Sequence, residues 1–240
     1  MGHWVQAQED HRRRLFSEAN RARSKGRTQR AVALFRELLC EDPSDLDVLL
    51  RLAPLLAREG EQFEAWSMYR QACKALLAAG RHEACLSAFR EANRVLPYEF
   101  EGWRLTAELE RKLGREREAF ETLLEGRRQF RTRFVRAQAI ALLKLAREIH
   151  AWDHAVVIDL AHLYVQGGQT AQALQILDGA LVHAAPGQLA DVRWAQLQAT
   201  RSPRYLALWI RQLVQRRGAA PDARLAHATA EHEVLARVPQ

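Results

Sequence analysis

Apolar residues recur every three or four positions along most of the chain, which is the period of an amphipathic α-helix. The run over residues 46–57 is the clearest case. Gly60 follows it and can adopt the left-handed conformation that ends a helix. Pro54 lies inside the same run and is expected to kink or split the helix, because proline has no N–H to donate.

The same pattern elsewhere predicts about thirteen helices. Ala and Leu are the commonest residues and outnumber Val, Ile and Thr, which favours helices over strands. The predicted fold class is therefore all-α. The predicted helices lie near residues 8–25, 27–41, 45–59, 61–79, 81–95, 98–113, 115–130, 134–149, 153–167, 169–184, 188–199, 202–217 and 221–237.

The chain repeats itself at a constant interval, because the numbers of equivalent positions differ by 54. Gly26 and Gly80 are related in this way, as are Gly60, Gly114 and Gly168. Large, small and turn residues keep the same offset, namely Pro43 and Pro97, Phe35 and Phe89, Leu49, Trp103 and Val157, and Ala65, Ala119 and Ala173. We interpret this as a three-helix unit over 43–96, 97–150 and 151 to about 204, with 12–42 as the last two-thirds of another.

Small residues in each unit stand where two helices joined by a short turn must approach closely. Ala72 in one unit and Gly126 in the next occupy such positions. Large residues such as Trp103 are expected to fill the space that the small ones leave. No helix pair can cover its own apolar face, so neighbouring pairs must stack.

These residues resemble the tetratricopeptide repeat, a helix–turn–helix motif of about 34 residues. The best match runs over 46–79, and further matches begin at Arg12, Phe100 and His154. The resemblance implies an α-solenoid of stacked antiparallel helix pairs, forming a single domain over 1–240. Its repeat-matching region is 12–184, and 187–240 would supply divergent C-terminal helices and a cap. The period of 54 departs from the family's 34, because one extra helix follows each pair.

The residues that could carry chemistry do not converge on a catalytic set. His150 and His154 are four apart, but Asp153 is typical of a helix N-cap and would place them on different helices. The chain has three cysteines, Cys40, Cys73 and Cys85, at positions of the predicted helices where small residues recur. We predict that they are buried thiols of the core. We therefore expect no enzyme, no metal site and no cofactor.

The chain is basic, with a formal charge of +7 and a pI of about 9.8. The excess is concentrated in residues 111–136 and 192–221, and the second stretch contains Trp194, Tyr205 and Trp209. Such stretches could attract RNA, DNA or an acidic peptide. The alternative is a solvated helical face whose aromatic residues turn into the core.

The resemblance also implies a binding surface, because tetratricopeptide arrays generally bind a protein segment in a concave face lined by the first helix of each pair. On this chain the implied partner-binding residues are Arg13, Phe16, Asn20, Arg23, Arg104, Glu108, Arg111, Lys112 and His162. Arg104, Glu108 and Arg111 also have the spacing of intrahelical ion pairs, which is the alternative for each. Phe16 stands where the family's binders of chaperone tails have a lysine, so that ligand is not expected.

The sequence thus predicts a non-catalytic scaffold or adaptor that binds a protein or peptide partner, which could be acidic. The alternatives are nucleic-acid binding through the two basic stretches and self-association through Trp194 and Trp209. No apolar run is long enough to span a membrane, and the first residues lack the apolar core of a secretory signal. We therefore expect a cytoplasmic protein.

Overall fold

The computed structural model describes residues 2–216, which are almost entirely helical and, within that range, include no strand. The all-α prediction is confirmed. Residues 203–216 are helical too, and the predicted helix at 221–237 lies outside the described residues. A 3₁₀ turn at Arg133–Val135 precedes the eighth α-helix. The α-helices are α1 (Gly2–Ser24), α2 (Thr28–Glu41), α3 (Leu46–Glu59), α4 (Gln62–Ala78), α5 (His82–Val95), α6 (Phe100–Lys112), α7 (Glu116–Gln129), α8 (Arg136–Ile149), α9 (His154–Gln166), α10 (Thr170–His183) and α11 (Leu189–Thr200).

The repeat seen in the sequence is present in the helices themselves. The first helices of the units, α3, α6 and α9, begin at residues 46, 100 and 154. Their successors α4, α7 and α10 begin at 62, 116 and 170, and α2, α5 and α8 begin at 28, 82 and 136. Successive starts within each set differ by 54, so three helices recur where the tetratricopeptide motif has two.

Glycine turns and aspartate caps set these boundaries. Gly60 ends α3 with a φ of 88°, in the left-handed region that a side chain would strain. Because only Gly60 and Glu61 separate α3 from α4, the two helices must run antiparallel and in contact. Asp153 caps α9 by accepting a hydrogen bond from the Val156 N–H at 3.0 Å, which confirms the predicted N-cap.

Helix α3 continues through Pro54 instead of splitting there. Its neighbours Ala53, Leu55 and Leu56 are buried, so packing on both sides of the proline stabilises the helical backbone. The prediction that Pro54 could split the helix is therefore wrong. The ring costs one backbone hydrogen bond, and tertiary contacts offset that loss.

The chain forms two compact units, Met1–Leu142 and Leu143–Gln240. In the first unit each helix from α1 to α7 packs against the next, and α3 also packs against α5. In the second unit α9, α10 and α11 pack against one another. Both are built of stacked helix pairs, as predicted; a single domain over 1–240 stays a prediction.

Two of the three cysteines are buried as predicted. Cys73 on α4 and Cys85 on α5 lie in the core, where the Cys73 thiol donates to the Cys85 carbonyl oxygen at 3.7 Å. The neighbouring Cys85 thiol, together with burial, raises the pKa of Cys73. Cys40 is exposed, so that part of the prediction is wrong. It follows buried Leu38 by two positions, which places it about 200° around α2, on the solvent side.

Candidate functional site

Three of the predicted partner-binding residues, Arg13, Phe16 and Asn20, line a groove between α1 and α3, here called the α1–α3 groove. The Asn20 amide donates to the Phe16 carbonyl oxygen at 2.9 Å and accepts from Arg51 Nη1 at 3.2 Å. The Arg51 guanidinium carbon lies 5.2 Å from the centroid of the Phe16 ring. Phe16 and Asn20 are therefore held in fixed positions by their own neighbours.

The charges of the α1–α3 groove largely compensate one another. Arg12 forms an ion pair with the α3 cap Asp45. Arg13 lies 3.7 Å from Glu9 on its own helix. Phe16 is the one large apolar side chain among the described residues that line this groove. Arg23 is exposed on α1 but does not line it.

On α6 the predicted residues mainly pair with one another. Arg104 contacts Glu101 at 2.6 Å and Glu108 at 3.1 Å, and Lys112 contacts Glu108 at 2.8 Å. The hydrogen bond from Lys112 is the main cause that lowers the pKa of Glu108. The intrahelical alternative is thus confirmed for Arg104 and Glu108. Arg111 is exposed on the same helix.

A larger groove lies between α4 and α6, with α5 beneath it; we call it the α4–α6 groove. Its volume is about 840 Å³. Phe89 of α5 lies at its floor, and the α6 wall is formed by a leucine stripe, Leu105, Leu109 and Leu113. Leu77 of α4 forms part of the opposite wall and is 39% exposed. The surface combines apolar walls with open access, as ligand-binding grooves do.

Two cations stand on the α4 wall of this groove. Arg70 and Lys74 are exposed and one helical turn apart. Neither forms an ion pair or hydrogen bond with any residue in the described part of the chain. The sequence reasoning missed both, because the family pattern places the binding surface on first helices and α4 is a second helix. The signal that could have found them is the exposed stripe at Ser67, Arg70, Lys74 and Leu77, which has helical spacing.

The predicted residues of α1 and α6 line different grooves. In a stack of antiparallel helices, alternate helices lie on the same side. Accordingly α1 and α3 flank one groove, whereas α4 and α6 flank the other, with α5 below them. Glu108 and Lys112 therefore face Arg70 across the α4–α6 groove, and Arg13 belongs to the other side of the unit.

In the second unit, His162 is half-buried on α9, and its Nε2 lies 3.1 Å from the Gln198 side-chain oxygen. The rings of Trp194 and Trp209 pack against each other with centroids 4.8 Å apart. His150 follows the end of α8 and His154 begins α9, so they stand on different elements as expected. Within residues 2–216, no group of three His, Cys, Asp or Glu side chains is placed to hold a metal ion.

Part of the sequence matches a known protein family. Residues 136–200 match the tetratricopeptide repeat family. This confirms the predicted resemblance, and the matched segment runs from α8 to α11.

Solved structures, among them tetratricopeptide proteins, are also similar to this chain. One from Parabacteroides merdae is 15% identical, with 84% of this chain and 91% of that chain covered and a TM-score of 0.32. One from Thermus thermophilus is 19% identical, with 91% and 98% covered and a TM-score of 0.31. Yeast Tom70 is 18% identical, with 90% and 42% covered and a TM-score of 0.33. No curated protein matches the sequence.

Part of the basic stretch 111–136 of this tetratricopeptide-like array is paired with carboxylates. Arg115 forms an ion pair with Glu83 of α5, and Arg117 contacts Glu121 at 3.1 Å. The second stretch, 192–221, is described as far as residue 216. None of the described helices combines the length and apolarity that a membrane crossing requires.

Proposed function

We propose that this chain is a non-catalytic scaffold that binds a segment of a partner protein in the α4–α6 groove. Tetratricopeptide repeats are in general interaction scaffolds. The observation that carries the proposal for this chain is the leucine-lined groove itself, open to solvent in a unit that buries most of its leucines.

The walls of the groove favour an apolar ligand. Leu77 is exposed, and Leu105 and Leu113 are half-buried. Covering such surface contributes about 25 cal/mol for each Å² removed from water. A partner that supplied apolar side chains here would therefore gain affinity from each leucine that it covered.

The chemistry of the groove supports binding and not catalysis. Cys73, the thiol that lines it, is buried and has a raised pKa, so little of it is the reactive thiolate. The carboxylate of Glu108 is engaged by Arg104 and Lys112. Neither group is placed as an activated nucleophile or a free general base.

The proposal is tested by affinity capture from an extract of the source cells with the groove altered. The variant Leu77→Ser/Leu113→Ser removes apolar surface from both walls. Its matched control, Tyr98→Ser/Phe134→Ser, removes exposed aromatic surface outside the groove. Far-UV circular dichroism and thermal unfolding establish that each variant is folded.

We expect the wild type and the control to retain the same proteins after nuclease treatment, and the groove variant to lose them. The proposal would be refuted by retention on all three chains. It would be refuted equally if the wild type retained no protein.

A further inference from the structure

We propose that the occupant of the α4–α6 groove is a short acidic, amphipathic segment of a partner protein. Its carboxylates would pair with Arg70 and Lys74, and its apolar side chains would cover Leu77, Leu105 and Leu113. This inference rests on the scaffold function proposed above and names the chemistry of the ligand.

The first step is the charge on the rim of the groove. Glu108 is the carboxylate among the lining residues, and Lys112 and Arg104 already neutralise it. Arg70 and Lys74 have no such partner among residues 2–216. The α4 wall therefore carries two uncompensated positive charges next to apolar surface.

Some exposed arginines elsewhere in the first unit bridge to carboxylates of other helices, whereas others, such as Arg14 and Arg58, form no ion pair within residues 2–216. Arg36 of α2 contacts Glu64 of α4 at 2.6 Å, and Arg115, at the start of α7, pairs with Glu83 of α5. Arg70 faces the groove instead of a neighbouring helix. A ligand carboxylate in the groove would reach Arg70 and Lys74 without displacing an ion pair, and an acidic ligand fits the electrostatics of this wall.

The dimensions of the groove set the length of the segment. The lining stripe on α4 runs from Ser67 to Leu77, which are ten positions apart and therefore about 15 Å apart at 1.5 Å per residue. The stripe on α6 from Leu105 to Leu113 spans about 12 Å by the same rise. A segment of about ten residues as a helix, or five when extended, spans this distance.

The leucine walls distinguish this ligand from a nucleic acid. A sugar-phosphate backbone would satisfy Arg70 and Lys74 but would leave the leucines of both walls in contact with polar groups. Nucleic-acid surfaces also usually place aromatic residues beside the cations for stacking. Here most residues that line the groove are aliphatic or polar; the aromatic ones are His82 at the start of α5 and Phe89, which is buried at the floor.

The test begins with selection of random 12-residue peptides displayed on phage, using the full chain as bait. Enriched peptides are synthesised with a fluorescent label, and their binding is measured by fluorescence anisotropy. We expect the enriched peptides to combine Asp or Glu with Leu or Phe. Their affinity should weaken as salt is raised, because exposed charge pairs are screened.

Charge reversal then locates the contact. In Arg70→Glu/Lys74→Glu we expect affinity to fall by about tenfold or more. The control Arg14→Glu/Arg58→Glu makes the same change in net charge at two exposed arginines outside the groove, and should change affinity less than about twofold. A peptide whose acidic residues are replaced by lysine should bind the reversed groove better than it binds the wild type.

The remaining outcomes separate this inference from the scaffold function. Peptides that bind both double variants equally would overturn the groove assignment and leave a peptide-binding scaffold. Enriched peptides without acidic residues would overturn the ligand chemistry alone. Binding of labelled polyuridylate, with loss in Arg70→Glu/Lys74→Glu and no peptide selected, would overturn both proposals.

Discussion

Substituting Gly126 by alanine tests the close packing of α6 against α7. Gly126 is buried in α7, and an added Cβ would lie 2.7 Å from Trp103 Cγ and 2.8 Å from Cδ2. The Trp103 ring cannot move aside freely, because its Nε1 donates to the Pro97 carbonyl oxygen at 2.9 Å. The methyl group must therefore displace a buried indole or shift the helix.

The expected loss of stability follows from two opposed contributions. Overpacking of a well-packed core costs about 1–3 kcal/mol. Alanine inside a helix is favoured over glycine by about 1 kcal/mol. We therefore expect Gly126→Ala to lower the free energy of unfolding by up to about 2 kcal/mol.

The sign of this effect should reverse when the indole is removed. Leu49 and Ala72 occupy the equivalent positions of the preceding repeat unit, and both are buried. The double variant Trp103→Leu/Gly126→Ala reproduces that pair. In the Trp103→Leu background the alanine fills space instead of overlapping, so Gly126→Ala should raise stability by about 1 kcal/mol.

Urea unfolding followed by far-UV circular dichroism measures the four chains of this cycle. The two effects of Gly126→Ala should differ by about 1–3 kcal/mol between the backgrounds. If Gly126→Ala stabilised the wild type, or had the same effect in both backgrounds, the packing argument for small residues would be wrong.

Two further predictions concern buried and paired groups of the first unit. Tyr69 is buried, and its hydroxyl has no hydrogen-bond partner in the described part of the chain. Tyr69→Phe should therefore leave the free energy of unfolding in urea unchanged or raise it by about 1 kcal/mol. A loss above about 1 kcal/mol would contradict this. Glu108 has a pKa below its ordinary 4.5, so its stabilising contribution is present above that pH and is lost as the pH falls. The urea concentration at the unfolding midpoint should therefore fall when the pH is lowered from about 5 to about 3, and it should fall by less in Glu108→Gln than in the wild type. Equal falls in the two chains would contradict the assignment.

Most helix boundaries could be predicted because local chemistry determines them. Gly60 and Gly114 adopt positive φ at helix ends, and the Asp153 side chain caps α9, so each of these residues sets a helix boundary through contacts with nearby backbone. Pro54 was misjudged for the opposite reason. Its effect depends on the buried residues around it, and tertiary packing outweighs the local preference there.

The candidate site was harder to predict, because it depends on which helices share a side of the stack. The family pattern pointed to α6, and Glu108 and Lys112 do line the larger groove. It could not indicate Arg70 and Lys74, which lie on a second helix. Cys40 shows the same limit on a smaller scale, since its small size did not reveal which way it faces.

The number of helices in each repeat determines which surfaces face each other. With two helices per repeat, every first helix would lie on one side of the stack, and the residues of α1, α3 and α6 could line one continuous groove. The third helix, α5, moves α6 to the opposite side, next to α4. A segment bound as proposed in the α4–α6 groove would meet Arg70 and Lys74 as well as Lys112, whereas Arg13 remains in a separate groove. The extra helix thus places α4 and α6 on one side of the stack, where the proposed binding surface lies.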